Sequence, residues 1–197
     1  MKKLNILIFL FYNLICFSQE FKIPIFELKQ KRETDNPNLK LLNIEDKNSL
    51  IINIGYSSYW YNGTIAKSLV YQNNGKVLLF EVFYPNDSLK KIKVRKKNIK
   101  KKNIKKVWEF LNHCSKDNRF NIDGSKLNIT RIEDSEGILK YSSRSDAVNN
   151  IIEICQNENY TFLESYDPEY CIEQKQSEFE ERQKFVNLIT EIEKLIK

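Results

Sequence analysis

Histidine is nearly absent from this chain: His113 stands alone among 197 residues. A Ser–His–Asp triad would have to recruit that one residue, and a typical zinc site needs several histidines or clustered cysteines. No metal site and no cofactor are therefore expected. A glycine-rich phosphate loop, a GxSxG elbow and a CxxC pair are also missing. Five glycines and four prolines are too few for a collagen-like or linker-dominated chain. No apolar run reaches the roughly 20 residues that span a bilayer.

The longest apolar run is Leu4 to Phe17. It follows Met1-Lys2-Lys3, is interrupted by Asn5 and Asn13, and ends at the small-x-small site Cys16-Phe17-Ser18. Those are the parts of a secretory signal peptide. Cleavage after Ser18 is expected, giving an exported chain, periplasmic or secreted, with no transmembrane segment. A lipoprotein anchored through Cys16 is the minor alternative. Ile15 weakens it, because a small residue is expected just before an acylated cysteine.

The remaining 179 residues suit one domain large enough to fold on its apolar core alone. Charge is unevenly placed along it. Lys90 to Lys106 holds eleven Lys or Arg and no acid, whereas Glu153 to Lys197 holds 11 acids and 5 bases. Such polarity fits a basic stretch and an acidic tail that face each other, or that face different partners. Part of the lysine excess also accompanies a Lys, Asn and Ile bias, which an AT-rich genome produces by itself. Loss of Cys16 leaves Cys114, Cys155 and Cys171. Cys155 and Cys171 form the nearer pair for a disulfide; three buried free thiols are the other reading.

Residues 19–49 read as an N-terminal extension or edge segment, and 50–197 as a single α+β domain. Phe21 to Phe26 is strand-like, but Pro24 confines it to an edge or to no sheet. Leu50 to Ile54 is a candidate strand. The firmest element is a hairpin of Thr64 to Gln72 and Val77 to Tyr84 around Asn74-Gly75. A type I′ turn there places Tyr71 opposite Leu78, Leu69 opposite Phe80, Lys67 opposite Val82 and Ile65 opposite Tyr84. Leu89 to Lys96 extends the meander. Ile104, Val107, Trp108 and Leu111 then mark one helix stripe. Leu127 to Ile132 and Ile138 to Tyr141 suggest a second hairpin. A helix capped by Ser145 is expected to carry Ala147, Val148, Ile151, Ile152 and Cys155, with a strand at Tyr160 to Leu163. The chain closes on a helix with the stripe Phe185, Leu188, Ile189, Ile192, Leu195 and Ile196. The expected fold is an antiparallel β-meander with hairpins, its helices packed on one face.

Two surfaces are candidates for recognition. One is the aromatic segment Tyr56, Tyr59, Trp60 and Tyr61, whose rigid rings suit a protein partner or a sugar. A loop folding those rings over the sheet end is the structural alternative. The other is the basic stretch, with Lys102, Lys105 and Lys106 on exposed helix positions, suited to an acidic polymer or protein face. A solvated helix face and a lysine-protected strand edge are the structural alternative, since charge runs on helices are usually solvated faces. Export disfavours nucleic acid as the partner. His113 and Cys114 are adjacent on a helix, so they do not face each other as base and nucleophile.

The short leader, the Asn/Lys/Ile bias and the meander-plus-helix layout resemble small exported proteins of AT-rich Gram-negative bacteria, a resemblance that implies no activity. The function expected is non-enzymatic binding of a protein or acidic-polymer partner. The alternative is a small exported hydrolase using Cys114 or carboxylates that the sequence does not pair.

Overall fold

Antiparallel pairing organises the described strands. The computed structural model describes residues 21–34, 36–58, 60–128, 131–133, 139–141, 147–175 and 179–197. The leader expected at residues 1–18, Tyr59 and Ser145 lie outside the described residues. Strands β1 (Gln30–Lys31), β2 (Leu50–Ser57), β3 (Gly63–Tyr71), β4 (Val77–Pro85), β5 (Lys93–Lys97), β8 (Asn149–Gln156) and β9 (Asn159–Tyr166) form a sheet of order β1-β9-β8-β2-β3-β4-β5. Strands β6 (Arg131–Glu133) and β7 (Leu139–Tyr141) pair separately as a small ribbon. The helices are α1 (Pro37–Leu41), α2 (Lys101–Lys116), α3 (Pro168–Glu173) and α4 (Phe179–Ile196). The fold is α+β.

Alternation sorts the side chains to two faces. Leu50, Ile52 and Ile54 of β2 and Leu69 and Tyr71 of β3 meet the apolar stripes of α2 and α4, chiefly Val107, Leu111, Phe185 and Ile192. The Tyr71 hydroxyl donates to the Val107 carbonyl at 3.1 Å and so keeps its one polar group satisfied inside this core. The opposite face is buried as well. Ile51, Val70, Leu78 and Phe80 pack beneath Leu39 of α1 and Leu42, so the long helices share one face while the short α1 covers part of the other.

Residues 21–49 wrap the sheet. Ile23 and Phe26 enter the helix-side core. The stretch Phe21 to Phe26 joins no strand; instead the buried Gln156 side chain accepts from the Phe26 N–H at 3.0 Å and donates to the Pro24 carbonyl at 2.7 Å. One amide thus substitutes for a ladder that Pro24 would interrupt.

Three expectations are corrected. The β3–β4 register is shifted by one residue: Leu69 faces Leu79, Lys67 faces Glu81 and Tyr71 faces Val77. The turn has three loop residues. Gly75 donates to the Gln72 carbonyl at 3.0 Å, Gln72 donates to Lys76 at 2.9 Å, and Gly75 alone takes positive φ, +79°. That is a type I turn closed by a glycine bulge, not a type I′ turn. Its effect is to set Lys67 beside Glu81 rather than against Val82. Secondly, residues 149–156 are a strand, not part of a helix. Thirdly, Cys155 and Cys171 are not bridged; with Cys114 they are buried free thiols. Cys155 faces the α1 side of the sheet, whereas Cys171 sits on α3.

Candidate interaction surface

At one end of the sheet the loop between β2 and β3 turns through Trp60, Tyr61 and Asn62. Gly63 lets it close onto β4. A Cβ there would lie 2.1 Å from the Tyr84 carbonyl oxygen, so only glycine fits this approach. Next to this loop runs the connector between β4 and β5, residues 86–92. Asn86 ties the two together: its side chain donates to the Tyr61 carbonyl at 3.0 Å, and its backbone N–H donates to the Asn62 carbonyl at 3.0 Å. The connector then makes a tight turn. Asp87 accepts the Leu89 N–H on its carboxylate and the Lys90 N–H on its carbonyl, each at 3.0 Å. With the backbone satisfied locally, nothing pulls the Leu89 side chain inward. It is 92% exposed.

These two adjoining loops therefore carry Trp60 (67% exposed), Tyr61, Leu89 and Ile92 as exposed apolar or amphipathic side chains. Tyr56 is not among them. It lies on the helix side of β2, packed against the core, where its hydroxyl bonds Glu193. Burial, and then the Glu193 charge, push the Tyr56 hydroxyl well above its ordinary pKa. Glu193 also holds Lys67 at 3.0 Å. The aromatic segment thus splits into a structural residue, Tyr56, and an outward pair, Trp60 and Tyr61.

The basic stretch begins in the same connector. Lys90 and Lys91 follow Leu89, and Lys93, Arg95 and Lys97 continue along the edge strand β5. Acidic partners are few: Lys90 pairs with Asp87 at 3.7 Å, Lys97 with Glu81 at 2.9 Å and Lys105 with Glu109 at 3.6 Å. The other eight basic residues have no carboxylate partner among the described residues. Strand β5 carries the chain from Lys93 to Lys97, about 13 Å at roughly 3.3 Å per residue, before it turns into α2. Lys102, Lys105 and Lys106 are exposed on that helix, beyond the strand and outside the loop cluster. The first turn of α2 contains no acid, and Lys100 at its start makes no side-chain cap. Lysines there oppose the helix dipole, so folding of α2 does not account for them.

The residues suited to covalent chemistry are placed differently. Cys114 is fully buried in the helix-side core, and burial pushes its thiol up to about 12. A thiol held protonated at neutral pH is a poor nucleophile. His113 is exposed on α2, in a shallow cleft with Glu109, Arg119 and Glu191. A polar cleft of about 400 Å³ lies alongside, lined by Asp117, Asn118, Lys184 and Asn187. The ion pair between Arg119 and Glu191, 2.6 Å, contributes to both clefts. No group of three or more His, Cys, Asp or Glu among the described residues is arranged to hold a metal ion.

One polar cluster was not apparent from the sequence. On the α1 side of the sheet Glu153 pairs with Arg32 and accepts from Asn38 at 2.9 Å and Asn53 at 2.8 Å, while Arg32 stacks over Tyr160 at 4.4 Å. Arg32 also donates to Asn36 at 3.1 Å, and the Asn36 side chain caps α1. The cluster fastens α1 to β8 and is a folding device. Asn86, Leu89 and Ile92 were likewise missed as surface residues; the turn residues Asn86-Asp87-Ser88 were the available signal. No helix among the described residues is long and apolar enough to cross a membrane. No protein-family model matches the chain, and no curated protein matches it either.

Proposed function

We propose that this chain is an exported, non-enzymatic binding protein that engages an acidic macromolecular partner through the sheet end built by Trp60, Tyr61 and the β4–β5 connector. One observation carries the reading. Asn86 locks two loops side by side, so the exposed rings of one and the exposed aliphatics and cations of the other lie at the same end of the sheet, the cations Lys91, Lys93 and Arg95 making no ion pair among the described residues. Exposed apolar groups close to exposed cations are typical of recognition surfaces. Export is supported by the leader pattern of residues 1–18.

Salt elution from an immobilised sulfated polyanion tests the binding half. The wild-type chain is expected to elute at clearly higher salt than a Lys91→Gln, Lys93→Gln, Arg95→Gln variant, because each lost contact reduces the salt dependence. Equal elution of the two proteins would remove the basic band from the function. Intact-mass measurement of the envelope-fraction product tests export. A chain beginning near Gln19 is expected; a cytosolic product still carrying residues 1–18 would refute it.

A further inference from the structure

We infer that the partner of this surface is a phospholipid bilayer carrying anionic headgroups, onto which the protein docks peripherally with Trp60 and Leu89 entering the interface. The inference rests on the binding reading above and narrows it. The chemistry of the exposed side chains selects the occupant. Leu89, 92% exposed, and Ile92 project from a connector, and Trp60 projects from the adjoining loop. A dissolved polyanion offers aliphatic side chains nothing apolar to enter. A bilayer interface offers an acyl boundary to Leu89 and Ile92, a headgroup layer suited to the amphipathic rings of Trp60 and Tyr61, and negative charge at the level of the lysines. The charge complement is in place. The only acid of the connector, Asp87, already pairs with Lys90; Lys91, Lys93 and Arg95 make no ion pair among the described residues, the Glu81 opposite Arg95 being held by Lys97. Trp60 and Leu89 sit on the loops, Lys91 lies in the connector between Leu89 and Ile92, and Lys93 and Arg95 follow on the flanking strand, so apolar groups and cations share this end of the sheet.

The chain's two tryptophans make the test specific. Trp108 is 4% exposed and Trp60 67%, so a Trp108→Phe background leaves Trp60 as the sole reporter of the surface. With vesicles of phosphatidylglycerol and phosphatidylcholine, Trp60 emission is expected to shift to the blue; with phosphatidylcholine alone it stays in place. Co-sedimentation of the full chain, with Trp108 retained, provides a readout that does not depend on that background. Leu89→Ser is expected to lower the vesicle partition about tenfold. Lys91→Gln, Lys93→Gln, Arg95→Gln together lower it about a hundredfold, at roughly fivefold per basic residue near an anionic surface. A leader-driven association would leave Trp60 unmoved and these variants equal to wild type, which overturns the inference. If Trp60 is unmoved while the triple variant still loses retention on the polyanion, the lipid assignment falls and the binding reading stands. If both measurements are flat, both fall.

Discussion

The two ends of the sheet each carry one of the chain's tryptophans and treat it in opposite ways. At the β3–β4 turn Trp108 is sealed. Its ring packs 5.2 Å from Phe21 and edge-on to Tyr71 at 5.3 Å, and its indole N–H donates to the Gly75 carbonyl at 3.4 Å. At the other end Trp60 stands on a loop whose backbone is pinned by Asn86 and Gly63, with its ring left outside. A tryptophan buries some 150–250 Å² when it packs, about the largest contribution one side chain offers. The first end collects nearly all of that gain and the second forgoes most of it. The backbone beneath Trp60 is as specifically built as the one beneath Trp108, so its exposure reflects placement and not poor packing. That contrast separates a stability element from a recognition element within one sheet.

The largest break in the contrast should come from Trp108→Ala, expected to cost about 3–5 kcal/mol, because it empties the seal and leaves Phe21 and Tyr71 without their partner. Chemical denaturation measures it; a loss below about 1 kcal/mol would mean that the sealed end is no seal. Next comes Gly63→Ala at the open end. The added methyl meets the Tyr84 carbonyl at 2.1 Å, and strain of about 1–3 kcal/mol is expected. A neutral result by thermal melting would show that the loop is not held by this approach, and that Trp60 lacks a fixed platform.

A smaller effect sharpens the assignment of Tyr56 to the structural side. Burial raises the Glu193 carboxyl, but Lys67 and the Tyr56 hydroxyl outweigh it and hold its pKa below the ordinary value of 4.5. A carboxyl that is more acidic folded than unfolded stabilises the fold above that ordinary value and loses its contribution as pH falls through the lower folded one. Glu193→Gln is therefore expected to flatten the acid limb of the stability curve below 4.5 while costing under about 1 kcal/mol at neutral pH, the pair being partly solvated. An unchanged acid limb would detach Tyr56 and Lys67 from α4.

How much of this was legible depends on distance along the chain. The stripes of α2 and α4 were readable because a helix writes its buried face at i, i+3 and i+4. Their burial at Val107, Trp108, Leu111, Phe185, Leu188 and Ile192 follows that reading. Strand β8 was misread as a helix for a physical reason. The sheet is buried on both faces, so Ile152 and Ile154 on one side and Cys155 on the other give a nearly continuous apolar run that lacks alternation. The one-residue slip in the β3–β4 hairpin came from Gly75, whose bulge adds a loop residue that Asn-Gly alone does not reveal. The surface at the open end was only half visible. Trp60 and Tyr61 were evident as aromatic loop residues, but Leu89 reads locally as the start of a strand. The link that makes them one surface, Asn86 to Tyr61, joins residues 25 apart through a side-chain amide and a backbone carbonyl. Arg182 shows the same limit: it lies within the α4 stripe, fully buried, its guanidinium donating to the Leu127 carbonyl at 3.0 Å across 55 residues.

The smallest expected effect on stability is the most decisive for function. Trp60→Ala and Leu89→Ser remove exposed side chains whose loops are held by backbone and Asn86 contacts, so each is expected to change stability by less than about 0.5 kcal/mol. Thermal melting of the two variants beside Trp108→Ala measures the contrast directly. Should Trp60→Ala destabilise as strongly as Trp108→Ala, the open end would be another seal and its exposed rings would need no partner. Should it melt like wild type while vesicle partition drops, folding and recognition would be assigned to opposite ends of the same sheet. The Asn86→Ala variant then tells whether the two loops act together. It removes the donor to Tyr61 without touching Trp60, Leu89 or any cation, so a loss of partition there would arise from separating the loops alone.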